Sequence, residues 1–352
     1  MKRTNKRMLP TLLALLLVFL LSGCALLPGA GIREDSVRED LPAIDPEAGV
    51  EREIQVKLYY RLTGEAYLVG VRSSLSVFSN ERAEKAMVRA LLSGIPPLTN
   101  NISEVIPEHT KIVDVSLDGG ILYITLSGDF FDTSIVEKAQ DENRQYLDSG
   151  FITGAEYNAR VAAARREMYL CRELSVCAIV NTISEYDPSI RVQILFDVDG
   201  SGEGARVARE ELGFPPNQEA NTDLLEPMSY VADVVVSPLT LVKCALDRMM
   251  GGEYEKAYVL FAETESGGMQ KPTYANFETE MLSFGRITAY TLYSYTVSDD
   301  TGQAQVRADL EITNASGEIM TLRDVTVTLR SEGNLYKLGY DAFKQLLEGE
   351  GE

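Results

Sequence analysis

The only imidazole in this chain is His109, in a Pro-Glu-His-Thr loop with no nucleophile motif beside it. A Ser-His-Asp or Cys-His mechanism would have to run through that one ring, so it reads as a solvated loop residue and no catalytic residue is assigned. Zinc is equally disfavoured, because one histidine and the dispersed Cys24, Cys171, Cys177 and Cys244 make no ligand set. Asp197-Val198-Asp199-Gly200-Ser201-Gly202 copies the first half of an EF-hand calcium loop, with oxygen side chains at positions 1, 3 and 5 and glycine at 6. Position 12 is Ala208, where a bidentate glutamate belongs, so the run reads as a strand end with a glycine turn. The same glycines lack the Lys-Ser/Thr of a phosphate loop. The expectation is therefore no metal, no cofactor and no enzyme.

Cys24 is the exception, because of what precedes it. Lys2, Arg3, Lys6 and Arg7 form a cationic leader, and Leu9 to Leu21 are a short apolar run below the length of a spanning helix. Leu21-Ser22-Gly23-Cys24 then resembles the lipobox of bacterial lipoproteins. The resemblance implies cleavage before Cys24 and lipid, palmitate-type acyl chains included, on its sulfur. At about 0.8 kcal/mol per buried methylene, two or more chains hold a protein firmly on the extracytoplasmic face of the membrane.

Loss of residues 1–23 removes four basic and no acidic residues and takes the formal charge from −20 to −24. So acidic a surface repels phosphate backbones, which excludes nucleic acid as a partner. The three cysteines left beside Cys24 are no disulfide framework, and Cys171 and Cys177 would stand about 9 Å apart along a helix. All three read as small buried apolar residues.

The elements behind these residues follow from periodicity. Residues 24–53, acidic and rich in Pro and Gly, form a flexible tether. Strand alternation begins at Ile54 with Val56, Leu58 and Tyr60, and is repeated by Tyr67, Val69 and Val71. Ser79 or Asn80 is the expected cap of a helix through Ala83, Met87 and Leu91. Two strands flank Asp118-Gly119-Gly120, a helical region follows, and Pro188 ends it before the strand of Val192, Ile194 and Phe196.

The ordered runs IQVKLYY, YLVGV, EKAMVRALLSGIPP, VIPEHTKIVDVSLDGGILYITLSGDF, CAIVNTISEY and VQILFDVDG resemble the GerMN domain of bacterial sporulation and spore-germination proteins. Over residues 54–200 the resemblance implies an α/β sandwich similar to ring-building modules of secretion and sporulation complexes. The chain departs from that pattern at His109, where glycine is commoner, and in a helical insertion near 137–165.

Residues 201–236 read as a connector. From Ser237-Pro238, an N-cap with an N1 proline, helices precede long alternating strands, an α+β order. GGEYEKAYVLF and EGNLYKLGY are similar to NTF2-like domains appended to bacterial lipoproteins, which implies a cone over 237–345, with 346–352 as an acidic tail. Tyr290, Tyr293, Tyr295 and Tyr340 are candidates to line a pocket in it, although most such residues are core or sheet surface.

The expectation is thus an α+β, membrane-anchored lipoprotein that acts without catalysis in envelope assembly or binding, in sporulation or germination. The alternative is a sensor for cell-wall fragments or sugars. Envelope or sporulation proteins, peptidoglycan and further copies of the chain are the partners this implies. Arg160, Arg165 and Arg166 are basic residues on an otherwise acidic protein and are the expected partner-binding patch. They could instead solvate the helix and pair with Glu156 or Glu167.

Overall fold

Glu51–Leu62 (β1) and Leu68–Phe78 (β2) run antiparallel from Glu51 opposite Phe78 to Arg61 opposite Leu68. This is a computed structural model, and it describes residues 51–96, 101–216, 223–264, 268–298, 300–314 and 316–348. The leader, Cys24, all of the tether before Glu51 and the last four residues lie outside it. Of β1, Leu58, Tyr59, Tyr60, Arg61 and Leu62 are all buried, so alternation stops where both faces of the strand are covered.

Helix α1 (Ala83–Leu92) covers one of those faces, with Met87 and Val88 fully buried. Its cap residue is Arg82, without a side-chain cap bond, and not Ser79 or Asn80. The Glu81 amide bonds the Phe78 carbonyl and closes a turn across that stretch, which delays the helix. Ile102–Ser103 (β3) completes a first sheet of order β2-β1-β3.

The second sheet holds Ile112–Asp118 (β4) and Ile121–Ser127 (β5), joined by a tight turn in which Gly119 and Gly120 have φ of +54° and +81°. Only glycine takes two such residues in succession without strain. From β5 the chain crosses through Ser134–Asp148 (α2) and the 33-residue Gly154–Tyr186 (α3) to Arg191–Asp197 (β6), which lies parallel to β5. In the second half of α3, Cys177, Ala178, Ile179, Val180 and Ile183 are fully buried, and the helix packs on β1 and β6.

Residues 201–236 form no long element among those described. They are laid on the first part by bridges: Phe196 with Ala205, Val192 with Met228, and Leu68 with Val235. Pro238–Met250 (α4) then starts with the expected Ser237 cap, reinforced by Thr240 in a capping box. Tyr254–Tyr258 (α5) and Tyr274–Phe284 (α6) precede Arg286–Ser298 (β7), Gln303–Thr313 (β8), Ile319–Glu332 (β9) and Leu335–Leu338 (β10), an antiparallel sheet of order β10-β9-β8-β7. Tyr340–Glu348 (α7) follows, and its Leu346 and Leu347, placed in the acidic tail by sequence, are buried.

The fold class is α+β. Residues from Glu51 onward form one compact unit. Beneath the four-stranded sheet, the ring of Phe261 meets those of Phe277 at 5.0 Å and Phe343 at 5.5 Å. Such edge-on aromatic packing fills the interior, and a cavity of about 10 Å³ remains beside Met249, Met281 and Leu347.

Candidate functional site

The residues of the insertion build a helical arm. Thr153 caps α3 through a reciprocal box: its Oγ1 accepts the Glu156 amide at 3.2 Å, and a Glu156 carboxylate oxygen accepts the Thr153 amide at 2.7 Å. Val136 of α2 meets Val161 and Met168 of α3 in a small cluster separate from the main core, with Tyr157 and Tyr169 packed on it. Arg144 lies 5.6 Å from the centre of the Tyr157 ring, a cation–π contact across the hairpin. At the turn, Phe151 is 80% exposed and Tyr146 50%. Aromatic rings so exposed mark contact surfaces more often than isolated aliphatic residues do.

Arg160, Arg165 and Arg166 are all exposed on α3. They do not share one direction: at 100° per residue, Arg160 and Arg165 lie about 140° apart around the helix. Arg160 turns to α2 and donates to Asn143 Oδ1 at 2.9 Å. Arg165 and Arg166, about 100° apart around the helix, make no ion pair among the described residues. Glu167, next to them in sequence, is engaged by Arg61, and Glu156, one turn before Arg160, is engaged by Thr153.

That second engagement fixes the root of the arm. Arg61 is 6% exposed, donates through Nε to the Glu65 carbonyl at 2.7 Å, and forks onto both carboxylate oxygens of Glu167. A planar fork is the geometry that makes arginine the strong partner of a carboxylate. Beside it Arg61 holds the Glu167 carboxyl below the ordinary glutamate value of 4.5. A lowered folded value means stability that is present above the unfolded value and is lost as pH falls through the folded one. Glu167→Gln is therefore expected to lower stability at neutral pH by about 1 kcal/mol, since Glu167 is partly exposed, and to flatten the fall in melting temperature below about pH 4.5. An unchanged acid limb in a melting-temperature series from pH 3 to pH 7 would remove the pair from this role.

Cys171 is half-buried and accepts from Arg61 Nη1 at 3.3 Å, while Cys177 and Cys244 are buried; all three are free thiols. Burial raises the Cys171 thiol and pushes Cys177 and Cys244 up to about 12, the opposite of an activated nucleophile.

His109 is less isolated than its sequence neighbourhood suggests. It lies in a cleft of about 390 Å³ with Glu108, Asp129 and Asp132, at the carboxyl end of β5. The Ser134 hydroxyl and amide hold Asp132 below the ordinary aspartate value, and His109 acts on it through charge. Asp129 accepts from Ser127 at 2.9 Å. Asp132 is thus a fixed, charged acceptor and is not poised as a general acid.

A second concavity, of about 460 Å³, opens between the first sheet and the β9–β10 turn, with Lys57, Tyr59, Arg72, Tyr230 and Asn334 on its walls. Tyr59 Oη lies 2.9 Å from Tyr230 Oη and donates to Glu185 at 3.1 Å, and Lys57 pairs with the other oxygen of that carboxylate. Burial holds the Tyr59 phenol far above its ordinary range, so it serves as a neutral donor. The tyrosines expected to line a cone pocket do not converge. Tyr290 bonds Asp247 at 2.6 Å, Tyr293 bonds Asp309 at 2.7 Å, Tyr295 is 46% exposed, and Tyr340 is buried against Glu280.

Residues 57–202 match the Germane family, described as sporulation and spore germination. No curated protein matches the chain. Among solved structures, the tandem GerMN domains of the sporulation protein GerM from Bacillus subtilis are 14% identical, with 56% of this chain and 51% of that chain covered and a TM-score of 0.29. The match thus spans about half the length of that relative. A candidate lipoprotein from Clostridium perfringens is 15% identical over 45% of this chain and 80% of its own, with a TM-score of 0.21. Aln2 from a Streptomyces species is 16% identical over 29% of this chain and 88% of its own, with a TM-score of 0.22.

Proposed function

We propose that this chain, which carries a Germane domain over residues 57–202, is a lipoprotein anchored by lipid on Cys24 to the extracytoplasmic face of the membrane. It acts there without catalysis, by binding a partner in envelope assembly during sporulation or germination. The arm formed by α2 and α3 carries this reading: Arg165 and Arg166 are exposed, the adjacent Glu167 is engaged by Arg61, and Phe151 is 80% exposed at the tip. Arg160 serves as a clamp between the two helices. Two exposed guanidinium groups on a protein of mature charge −24 suit an acidic envelope protein, the carboxylates of peptidoglycan, or the acidic surface of a second copy.

Replacing Arg165 and Arg166 together by Gln is expected to leave the melting temperature within about 1 °C of the unaltered protein, because exposed charges away from ion pairs contribute little. Recovery of cross-linked partners from sporulating cells is expected to fall about tenfold, the loss of two charge-assisted contacts. Equal recovery would move the interface off the arm.

The Lys57–Arg72 cleft favours a second reading, a sensor for cell-wall fragments or sugars. Its volume lies in the range of small-molecule sites, and its phenol and amide groups suit hydroxylated ligands. Saturable binding of soluble wall fragments that Arg72→Gln abolishes, and that the arm variant retains, would select this reading.

A further inference from the structure

Asp197 ends β6 at 7% exposure, buried where the strand leaves the sheet. One of its carboxylate oxygens accepts the Gly202 amide at 3.0 Å. The other, Oδ1, is buried and has no hydrogen-bond partner among the described residues. The Asp199 carboxyl lies within hydrogen-bond reach of the Asp197 side chain. A buried carboxylate oxygen without a donor loses its hydration uncompensated. A cation between the two groups supplies the missing partner.

The frame around them is rigid. Phe196 and Ala205 exchange backbone bonds of 2.9 and 3.0 Å, which closes the loop from Asp197 to Gly204 at its base. A Cβ at Gly204 would come within 2.8 Å of Thr125 and Leu195, so the returning strand is pressed on the sheet and cannot carry Asp197 outward. Asp199 and Ser201 are exposed at the loop's mouth, and the Ser201 hydroxyl is oriented as an acceptor for the Glu203 amide at 3.3 Å.

We propose that Asp197, Asp199 and Ser201 bind one calcium ion, with backbone carbonyls and water completing its shell. All the side-chain ligands are oxygen, which suits a hard cation and excludes a thiolate- or imidazole-seeking metal. The absent glutamate at position 12 does not abolish such a site but weakens it. Among the described residues no third His, Cys, Asp or Glu joins the group. Two carboxylates place the dissociation constant in the range of extracellular calcium modules, about 0.1–1 mM. Beyond Ala205 the chain continues into the segment that bridges Leu68 and Val192, so calcium would pin the start of that strap.

Calorimetric titration of the EDTA-stripped full chain in detergent with calcium chloride tests this. A saturable heat with a dissociation constant of about 0.1–1 mM is expected. A rise in melting temperature of about 2 °C at 10 mM calcium should accompany it. Asp199→Asn, at an exposed position, should leave the metal-free melting temperature unchanged and abolish both responses. Asp197→Asn keeps an acceptor for Gly202 and should also abolish them. Absence of saturable heat up to 10 mM, retention of the shift in Asp199→Asn, or an equal response to magnesium, which would report only screening of the acidic surface, would each overturn the site.

Discussion

Cys24→Ala is expected to transfer the whole protein from the detergent-rich phase to the aqueous phase while its melting temperature stays unchanged. The effect is all or none, because the proposed anchor is covalent: with the sulfur gone there is no atom to acylate. Among the described residues no helix is long and apolar enough to cross a membrane. A chain of formal charge −20 gives no electrostatic hold on anionic headgroups either. Two acyl chains at about 0.8 kcal/mol per methylene account for firm retention of the unaltered protein. The fold should not respond, because its first strand begins at Glu51 and the substitution lies far upstream of it. Retention of the variant on membranes after a high-salt wash would refute the anchor.

Some elements were legible because a local rule and the tertiary packing agree on them. The Gly119-Gly120 turn needs two positive φ angles, and the structure has them; Ser237-Pro238 names a helix start, and Thr240 completes it. Strand β7 was not legible. Its pairing with β8 shifts register between Ile287 and Ala289 and again between Leu292 and Tyr295, and each bulge inverts the alternation on which a strand is recognised. Helix α7 had its signal, Phe343, Leu346 and Leu347 at helical spacing, but the acidic residues around it mask that stripe. The arm divides in the same way. That Arg160, Arg165 and Arg166 are exposed could be read from composition, but that Glu167 belongs to Arg61, more than a hundred positions earlier in the chain, could not. In the loop after β6 the sequence displays the oxygens, and only packing reveals that one of them is buried without a donor.

The largest effect on stability is expected at Gly213, in the segment that sequence alone reads as a connector. Gly213 follows a short 3-10 turn, Arg209–Leu212, with φ +86°, a region that L side chains enter at a cost of about 1–2 kcal/mol. A Cβ there would stand 2.2 Å from the Tyr169 carbonyl oxygen, which belongs to α3 and cannot swing aside as a side chain would. The approach is close because the neighbours are anchored: Leu212 is fully buried, Phe214 is 7% exposed under Arg209, and Arg172 of α3 donates to the Glu211 carbonyl at 3.1 Å. Gly213→Ala should therefore pry the segment from α3 and cost at least about 3 kcal/mol, a fall of roughly 6–12 °C in melting temperature. Gly213→Asn separates the two causes. Asparagine tolerates positive φ, so if backbone conformation alone were responsible it would restore most of the loss. If the contact with Tyr169 decides, asparagine will be as damaging as alanine, and residues 201–236 act as a clasp on α3. A melting temperature for Gly213→Ala within 2 °C of the unaltered protein would show that the clasp is loose.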